Sequence, residues 1–255
     1  MIANYHTHTA RCRHAEGMEA DYVKMAAERG LQILGMSDHT PYPFPEGYYS
    51  KMRMYPQELG DYCAAIESLK KDYAGKLQVH LGVEAEYYPA FFPELLSILR
   101  DHNIEYMILG QHWPGNEMNE IYGGRPTDSE AVLERYYNQC IEGLQTGVYT
   151  YMAHPDMPRF TGPVEVFQKH AARLCREAKS CGIPLEVNLL GLREGRNYPN
   201  IRFWEMAAQE GCQVVFGCDA HRPENVTDPT SEKIALEMVN SLGLELLETV
   251  ALRKV

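Results

Sequence analysis

Residues 4–9, Asn-Tyr-His-Thr-His-Thr, place two histidines two positions apart near the start of the chain. Alternate side chains of a β-strand point to the same side, so His6 and His8 would present both imidazoles to one point. Imidazole is a frequent transition-metal ligand in proteins. An isolated H-x-H pair is also compatible with two solvent-facing histidines, so the rest of the chain has to decide between the two interpretations.

Histidines and acidic residues recur where apolar runs of the sequence end. Of the 10 histidines in the chain, most fall at such ends, and His14 lies just beyond the first run. The terminal residues are His6 and His8, Asp38 and His39, Glu84 and Glu86, His112, His154 and Asp156, and Asp219 and His221. Chance would scatter these residue types along the chain, so their placement favours a shared site.

The elements that would position these residues alternate regularly. Short apolar runs lie at 1–6, 31–39, 77–86, 104–112, 148–156, 183–191 and 212–221. Helix-like stretches lie at 17–29, 56–74, 92–102, 128–146, 163–181, 200–210 and 231–249. Alternating strands and helices predict a parallel sheet with right-handed crossovers. We expect one domain over residues 1–255, an α/β fold that forms a distorted, seven-stranded TIM-like barrel.

In such a barrel the C-terminal ends of the strands converge on one mouth, where these folds carry their chemistry. Converging imidazoles and carboxylates require a compensating cation, because buried carboxylates otherwise repel one another and take up protons. Imidazole with carboxylate suits Zn, Mn or Fe rather than Ca. The ligand set exceeds what one tetrahedral ion uses, so we expect two or three divalent ions. We do not expect Cys12 or Cys218 to be ligands.

Composition excludes several other classes of protein. The chain has 255 residues, a formal net charge of -11 and 45% hydrophobic residues, which argues against a nucleic-acid or anionic-membrane partner. No apolar run approaches the ~20 residues of a membrane span. The 7 cysteines form no C-x-x-C pair, and the polar N-terminus does not resemble a secretory leader. We therefore expect a cytoplasmic protein with buried, reduced cysteines.

The motifs, taken in order, resemble those of the PHP (polymerase and histidinol phosphatase) superfamily. They are H-T-H-T, S-D-H, G-V-E, G-x-H, A-H-P-D and D-A-H after strands one, two, three, four, five and seven. The chain length and the additional C-R-H at 12–14 are most similar to the histidinol-phosphate phosphatases of that superfamily. The resemblance implies a distorted seven-stranded β/α barrel with a trinuclear metal site.

The resemblance also implies an assignment of ligands. His6, His8, Glu84 and Asp219 would hold a first ion, Glu84 would bridge to a second ion held with His112 and His154, and His14, His39 and His221 would hold a third. Glu84 and His39 are thereby also catalytic candidates. Asp38 would either orient its neighbour His39 or donate a proton, and for Asp156 a structural role and the binding of a substrate amine stay open.

A phosphatase also needs cations for the phosphoryl oxygens. The resemblance places substrate-binding arginines at Arg159 and Arg193, while Arg196 has the pattern of a surface residue, and a guanidinium fits phosphate as a bidentate donor. Asn188 could bond a substrate group or turn the chain. Residues 188–193 read N-L-L-G-L-R where relatives often read N-T-S-G-L-R, which leaves the identity of the substrate open.

The function predicted from this combination is a metal-dependent phosphomonoesterase acting on a small-molecule phosphate ester. The resemblance implies hydrolysis of L-histidinol phosphate by a metal-bound hydroxide, in histidine biosynthesis. Two alternatives remain: a phosphodiesterase or nucleotide phosphoesterase of the same superfamily, and a non-catalytic metal-binding regulatory module. The Pro- and Tyr-rich segment 40–58 is expected to form a loop over the active site. The sequence gives no indication of oligomeric state.

Overall fold

The computed structural model describes residues 1–118 and 121–255, in which strands and helices alternate. The strands are β1 (Ala3–Asn4), β2 (Ile33–Met36), β3 (Gln78–Ala85), β4 (Tyr106–Leu109), β5 (Tyr149–Met152), β6 (Leu185–Asn188), β7 (Gln213–Gly217) and β8 (Glu245–Leu246). The helices are α1 (Glu19–Glu28), α2 (Leu59–Asp72), α3 (Phe92–Asp101), α4 (Glu130–Gln145), α5 (Val164–Cys181), α6 (Leu189–Glu194), α7 (Ile201–Gln209) and α8 (Pro229–Leu242). Apart from α6, which follows β6 directly, and α8, which begins before the predicted stretch 231–249, the helices lie in the stretches that hydrophobic spacing predicts.

All the strands pair in parallel, in the order β1 to β8, which confirms the predicted β/α architecture. At the C-terminal edge the sheet curls until the segment after β1 meets the segment after β7. There Thr7 and Ala220 form a parallel bridge, and the His8 amide donates to the Ala220 carbonyl at 2.9 Å. The rim that carries the predicted site residues is therefore closed, as in a TIM-like barrel.

The described residues contain one strand more than the predicted seven. The predicted helix 231–249 ends at Leu242, because Gly243 takes a left-handed φ of 67°. The following residues of β8 pair with Gln213 and Val214 of β7. A strand of two residues contains no apolar run, so the sequence pattern does not reveal it. Beyond β8, Val250 and Leu252 pack against the barrel interior.

Below the mouth, the barrel interior is filled by tyrosines. Tyr5, Tyr106 and Tyr151 are buried in one cluster with smaller apolar residues. Two glycines make room for the Tyr106 ring: a Cβ at Gly82 would lie 2.2 Å from its Cε1, and one at Gly35 would lie 2.1 Å from its hydroxyl. This aromatic layer forms a floor beneath the polar residues of the rim.

The cysteines are free, as expected, and all but the half-buried Cys181 are buried. Within residues 1–118 and 121–255, no helix has both the length and the apolar character needed to cross a bilayer. The segment 40–58 forms the predicted long loop between β2 and α2, ending in a short 3-10 helix at Pro56–Glu58. Its Lys51 and Met52 reach the wall of the cavity at the barrel mouth.

Candidate metal centre

The side chains of the candidate centre come from the ends of six strands. Most of these residues follow a strand directly, where the backbone turns away from the sheet, while Glu84 lies within β3. His154 and Asp219 have positive φ angles of 30° and 45°, which non-glycine residues adopt at a cost of roughly 1–3 kcal/mol. Such strain persists only where the surroundings impose it, and here it aims both side chains at the mouth.

The Glu84 carboxylate is the centre of the cluster and is nearly inaccessible to solvent. Its Oε1 lies 2.9 Å from His154 Nε2 and 3.9 Å from His112 Nε2. Its Oε2 lies 3.1 Å from His39 Nδ1, 3.5 Å from His8 Nε2 and 3.6 Å from His6 Nε2. One carboxylate therefore faces five imidazoles from four strand ends, the position expected of a bridging ligand.

Asp219 forms the second acidic point of the cluster. Its Oδ1 lies 3.1 Å from His8 Nε2, 3.2 Å from His221 Nδ1 and 3.6 Å from His6 Nε2. Its Oδ2 accepts a hydrogen bond from Asn188 Nδ2 at 3.1 Å. The donor atoms of His6, His8 and Asp219 all lie within 4.8 Å of one another, a spacing that could hold one ion.

His14, His39 and His221 form another group with donor atoms within 4.8 Å. His14 Nδ1 lies 2.8 Å from the Cys12 carbonyl, and His221 Nδ1 lies 3.2 Å from the Asp219 carbonyl. A carbonyl only accepts, so each Nδ1 carries the hydrogen and each Nε2 presents a lone pair. The two Nε2 atoms nevertheless lie 3.0 Å apart. A cation bound to both nitrogens resolves this opposition of lone pairs.

Several polar atoms of the cluster are buried and lack a hydrogen-bond partner within the described residues. They are Nε2 of His6, both ring nitrogens of His8, Nδ1 of His39, Nδ1 of His154 and Oδ1 of Asp219. An unsatisfied buried polar atom costs about 1–3 kcal/mol. Nitrogen and carboxylate donors in this arrangement fit Zn, Mn or Fe, so the residues present fit a centre of divalent cations.

Charges within the cluster shift the pKa values of its members. Burial raises the pKa of Glu84, but His39, His6 and His112 outweigh burial and hold that pKa well below its usual range. Burial, together with the neighbouring His221 and His8, lowers the pKa of His14 to about 4. Glu84 is therefore ionised and His14 neutral at pH 7, which are the forms that bind a cation.

Two buried glutamates behind the cluster hold imidazoles in place. Glu186 Oε2 lies 2.8 Å from His6 Nδ1, and Asn188 Nδ2 donates to Glu186 Oε1 at 2.7 Å. Glu86 Oε1 lies 2.9 Å from His112 Nδ1. In both pairs the carboxylate accepts the Nδ1 hydrogen, so Nε2 of the same ring is free to face the centre.

A cavity of about 400 Å³ opens onto the cluster. Its outer wall is formed mainly by aromatic and apolar residues, with a few charged groups: Lys51, Met52, Trp113, Tyr122, Met157, Leu190, Glu194, Arg196 and Tyr198. Arg196 donates from Nη1 to the Tyr198 hydroxyl at 2.9 Å and from Nη2 to Glu194 at 2.6 Å. The cavity therefore combines an acidic, imidazole-rich floor with an aromatic wall and a guanidinium.

A model of the family described as "PHP domain" matches residues 4–189, which is most of the chain and includes the ligand candidates from His6 to His154. The chain belongs to the PHP domain family.

Curated relatives of this PHP domain span nearly its whole length. A Deinococcus radiodurans protein named "Probable histidinol-phosphatase" is 29% identical over 231 residues, with 88% of each chain covered. The "Histidinol-phosphatase" of Bacillus subtilis is 25% identical, over 87% of this chain and 94% of its own. Among solved structures, histidinol phosphate phosphatase from Lactococcus lactis, in complex with zinc, L-histidinol and phosphate, has a TM-score of 0.74. At 18% identity, over 98% of this chain and 96% of that one, this likeness shows the fold.

The arginines considered in the sequence analysis differ in their position relative to the cavity of this PHP domain. Arg159 is exposed and does not belong to the residues that form the cavity wall. Arg193 turns away from the cavity, because Nη1 donates to Asp228 at 3.1 Å and Nη2 to the carbonyls of Cys218 at 3.2 Å and Asp219 at 3.3 Å. Arg196, which the sequence pattern placed on the surface, lies in the cavity wall.

Asp38, Asp156 and Asn188 hold neighbouring segments of the PHP domain in place. Asp38 Oδ2 accepts from the Thr9 amide at 3.1 Å, Asp38 Oδ1 accepts from the His39 amide at 2.8 Å, and Oδ1 lies 3.6 Å from His8 Nδ1. Asn188 caps α6 and bonds Glu186 and Asp219. All three side chains are buried.

Asp156 lies below the cavity wall. Its Oδ2 accepts from the amide of Asn200 at 2.6 Å and from Trp204 Nε1 at 2.8 Å. Burial raises its pKa to about 6. These contacts tie the segment before α7, which carries Arg196 and Tyr198, to the end of β5, and they favour the structural alternative for Asp156.

Sequence patterns did not identify the residues that orient the imidazoles. Glu186 lies inside an apolar run, and a run of this kind gives no sign that one of its side chains faces a histidine from a distant strand. The sequence marks Glu86 only as an acidic residue at a strand end. The sequence signal for Glu86 is its spacing from Glu84. The two glutamates are two residues apart, as are His6 and His8.

Proposed function

We propose that the chain is a metal-dependent phosphomonoesterase that hydrolyses L-histidinol phosphate to L-histidinol and phosphate. The observation that carries the proposal is the buried set of imidazole and carboxylate atoms without hydrogen-bond partners at the floor of an open cavity. Relatives at 29% and 25% identity are named histidinol-phosphatases, which supports both the reaction and the substrate.

Three groups of side chains would hold two or three Zn, Mn or Fe ions. They are His6, His8, Glu84 and Asp219; Glu84, His112 and His154; and His14, His39 and His221. Bound there, the ions would activate a water for attack on phosphorus and neutralise phosphoryl oxygens. Glu84 would belong to two groups, in keeping with its contacts to five imidazoles.

Within the chain itself, Arg196 is the guanidinium that we assign to the phosphate, because this residue lines the cavity. Arg193 would act indirectly, by holding the carbonyl of Asp219. Arg159 is exposed and would contact only a part of a ligand that extends beyond the cavity. We assign Asp38 to orienting His8 and His39, since both of its oxygens face these residues and Thr9 and not the cavity.

The aromatic part of the wall suits the imidazole of L-histidinol. Trp113, Tyr122 and Tyr198 surround the space above the cluster and could stack on a flat heterocycle. Glu194 offers a carboxylate in the same wall for a substrate ammonium group. These lining residues therefore suit a small phosphate ester with a cationic or heteroaromatic leaving group.

The experiment that tests the proposal measures metal content and phosphate release on the same preparation. We expect at least two tightly bound transition-metal ions per chain and release of phosphate from L-histidinol phosphate in preference to nucleoside monophosphates and diesters. Glu84→Gln should abolish turnover, whereas Glu94→Gln, on the exposed face of α3, serves as the matched control.

The outcomes separate the alternatives. A preference for nucleotides would replace the proposed substrate, and ion binding without hydrolysis of any ester would support a non-catalytic module. Fewer than two bound ions per chain would overturn the mechanism. Full activity of His112→Asn would overturn the ligand assignment.

A further inference from the structure

Arg53 is a fully charged side chain in an unusual place, since it belongs to the loop 40–58 and yet is only 1% exposed. Its Nη2 donates to Glu86 Oε1 at 3.0 Å, and its Nη1 donates to Glu86 Oε2 at 3.2 Å. This bidentate geometry is the strongest that a guanidinium and a carboxylate can form. A buried charge requires such partners, and Arg53 therefore has a defined position.

The other donors of Arg53 reach the start of its own loop and the loop that follows β4. Nη1 donates to the Thr40 carbonyl at 3.0 Å, and Nε donates to Glu117 Oε2 at 2.9 Å. Its guanidinium carbon also lies 5.1 Å from the centre of the Tyr42 ring. A single side chain thus connects the loops that follow β2, β3 and β4.

The contact with Glu86 continues into the candidate centre. Glu86 Oε1, which Arg53 holds, is the oxygen that lies 2.9 Å from His112 Nδ1. His112 Nε2 then points toward Glu84 Oε1, at 3.9 Å. The chain Arg53–Glu86–His112 therefore runs from a loop to a ligand, and it fixes both the tautomer and the direction of that ligand.

We propose that Arg53 is a positioning residue for the metal centre, which holds Glu86 so that His112 presents Nε2 to the ion shared with Glu84. The inference rests on the proposed function in that it takes His112 as a ligand. Arg53 does not touch the cavity, and its effect reaches the centre only through Glu86. A lysine would supply the charge without the two parallel hydrogen bonds, so the geometry favours arginine at this position.

The test compares Arg53→Met, Arg53→Lys and Glu117→Gln. Glu117→Gln is the matched control, because it changes the other acidic partner of Arg53 and leaves the Arg53–Glu86–His112 contacts in place. Metal-free protein is titrated with Zn²⁺ in competition with a chromophoric chelator, and folding is checked by circular dichroism. Imidazole nitrogen NMR of the zinc-loaded protein reports the tautomer of His112.

We expect Arg53→Met to weaken one Zn²⁺ site roughly 10–100-fold, the usual effect of losing a partner behind a ligand, and to change the His112 imidazole signals. Arg53→Lys should give an intermediate loss, and Glu117→Gln should keep wild-type zinc affinity. Folded Arg53→Met that binds Zn²⁺ like wild type, with an unchanged His112 signal, would overturn the proposal.

Further outcomes of the variant comparison also decide the test. If Arg53→Met does not fold, Arg53→Lys decides the question, since it retains the buried charge: wild-type zinc affinity in that variant overturns the proposal. Equal losses in Arg53→Lys and Glu117→Gln would also overturn it, because they would indicate general loosening of the loop. Zinc affinity is measured without substrate, so a wild-type protein that binds Zn²⁺ and hydrolyses nothing refutes the proposed function alone.

Discussion

Gly110, directly after β4, leaves the space that the Glu84 carboxylate occupies. A Cβ added at Gly110 would lie 1.7 Å from Glu84 Oε1 and 2.4 Å from its Cδ. Gly110 is not one of the glycines with a positive φ, so alanine is compatible with its backbone. Gly110→Ala therefore fills the space beside Glu84 without straining the backbone at position 110.

The size of the effect follows from the distances. Oε1 would have to move by about 1.3 Å to reach even the tight limit of 3.0 Å, and the same oxygen lies 2.9 Å from His154 Nε2. Displacing a reacting or positioning group by ~1 Å costs about 100-fold in rate, or roughly 2.7 kcal/mol in the activation free energy. Overpacking a buried site costs about 1–3 kcal/mol of folding free energy. We expect kcat/KM to fall at least about 100-fold, with loss of bound zinc.

The assay is phosphate release from L-histidinol phosphate, together with zinc content and thermal unfolding of each variant. Gly60→Ala is the control: it lies in α2, a Cβ there would meet nothing within 4 Å, and it should stabilise the helix by about 0.5–1 kcal/mol. If Gly110→Ala binds the wild-type amount of zinc and retains wild-type turnover, the Glu84 carboxylate does not occupy a shared ligand position and the reasoning fails.

Three further predictions test other parts of the site. Glu186→Gln removes the charged acceptor 2.8 Å from His6 Nδ1 and should weaken zinc binding roughly 10–100-fold in a chelator competition; unchanged affinity would contradict the role of Glu186. Burial raises the pKa of Asp156 from 3.8 to about 6, so its contribution to stability is present below pH 3.8 and is lost as pH rises through 6, by up to about 3 kcal/mol. Asp156→Asn should remove that fall in the free energy of unfolding, measured by urea denaturation of the metal-free protein between pH 4 and 7. An equal pH dependence in Asp156→Asn and wild type would refute the assignment. Arg196→Met should raise KM for the phosphate ester about 10-fold while zinc content stays constant, and an unchanged KM would place the phosphate elsewhere.

The convergence of the site could be predicted because it depends on strand direction alone. Parallel strands put their C-terminal ends on one edge, so the spacing of His6 and His8, or of Asp219 and His221, was sufficient to place these residues together. The structure brings the named histidines and acids to that edge. Which of them share an ion depends on distances of a few ångströms, and these remain a proposal.

The arginines could not be placed in the same way, because their long side chains follow tertiary contacts. Arg193 lies in the last turn of α6, which directs it toward Asp228, whereas Gly195, with φ 62°, ends the helix just before Arg196. Arg53 carries no motif at all, and only the folded chain shows that Glu86 and Glu117 meet it. The strand β8 could not be predicted because it also depends on tertiary contacts. Its two residues become a strand by pairing with β7 after α8 has ended at Gly243.

The strongest physical argument for a cation is the opposition of His14 and His221. Both rings have their Nδ1 hydrogens directed at carbonyl oxygens, so the two Nε2 lone pairs face each other at 3.0 Å. Protonating one ring would join the two nitrogens by a hydrogen bond, but burial and the neighbouring imidazoles lower the pKa of His14 to about 4, which disfavours the extra proton there at neutral pH. A divalent ion satisfies both lone pairs without a proton. Metal binding at these two rings would therefore be linked to folding, and a bound divalent ion should raise the melting temperature of the protein.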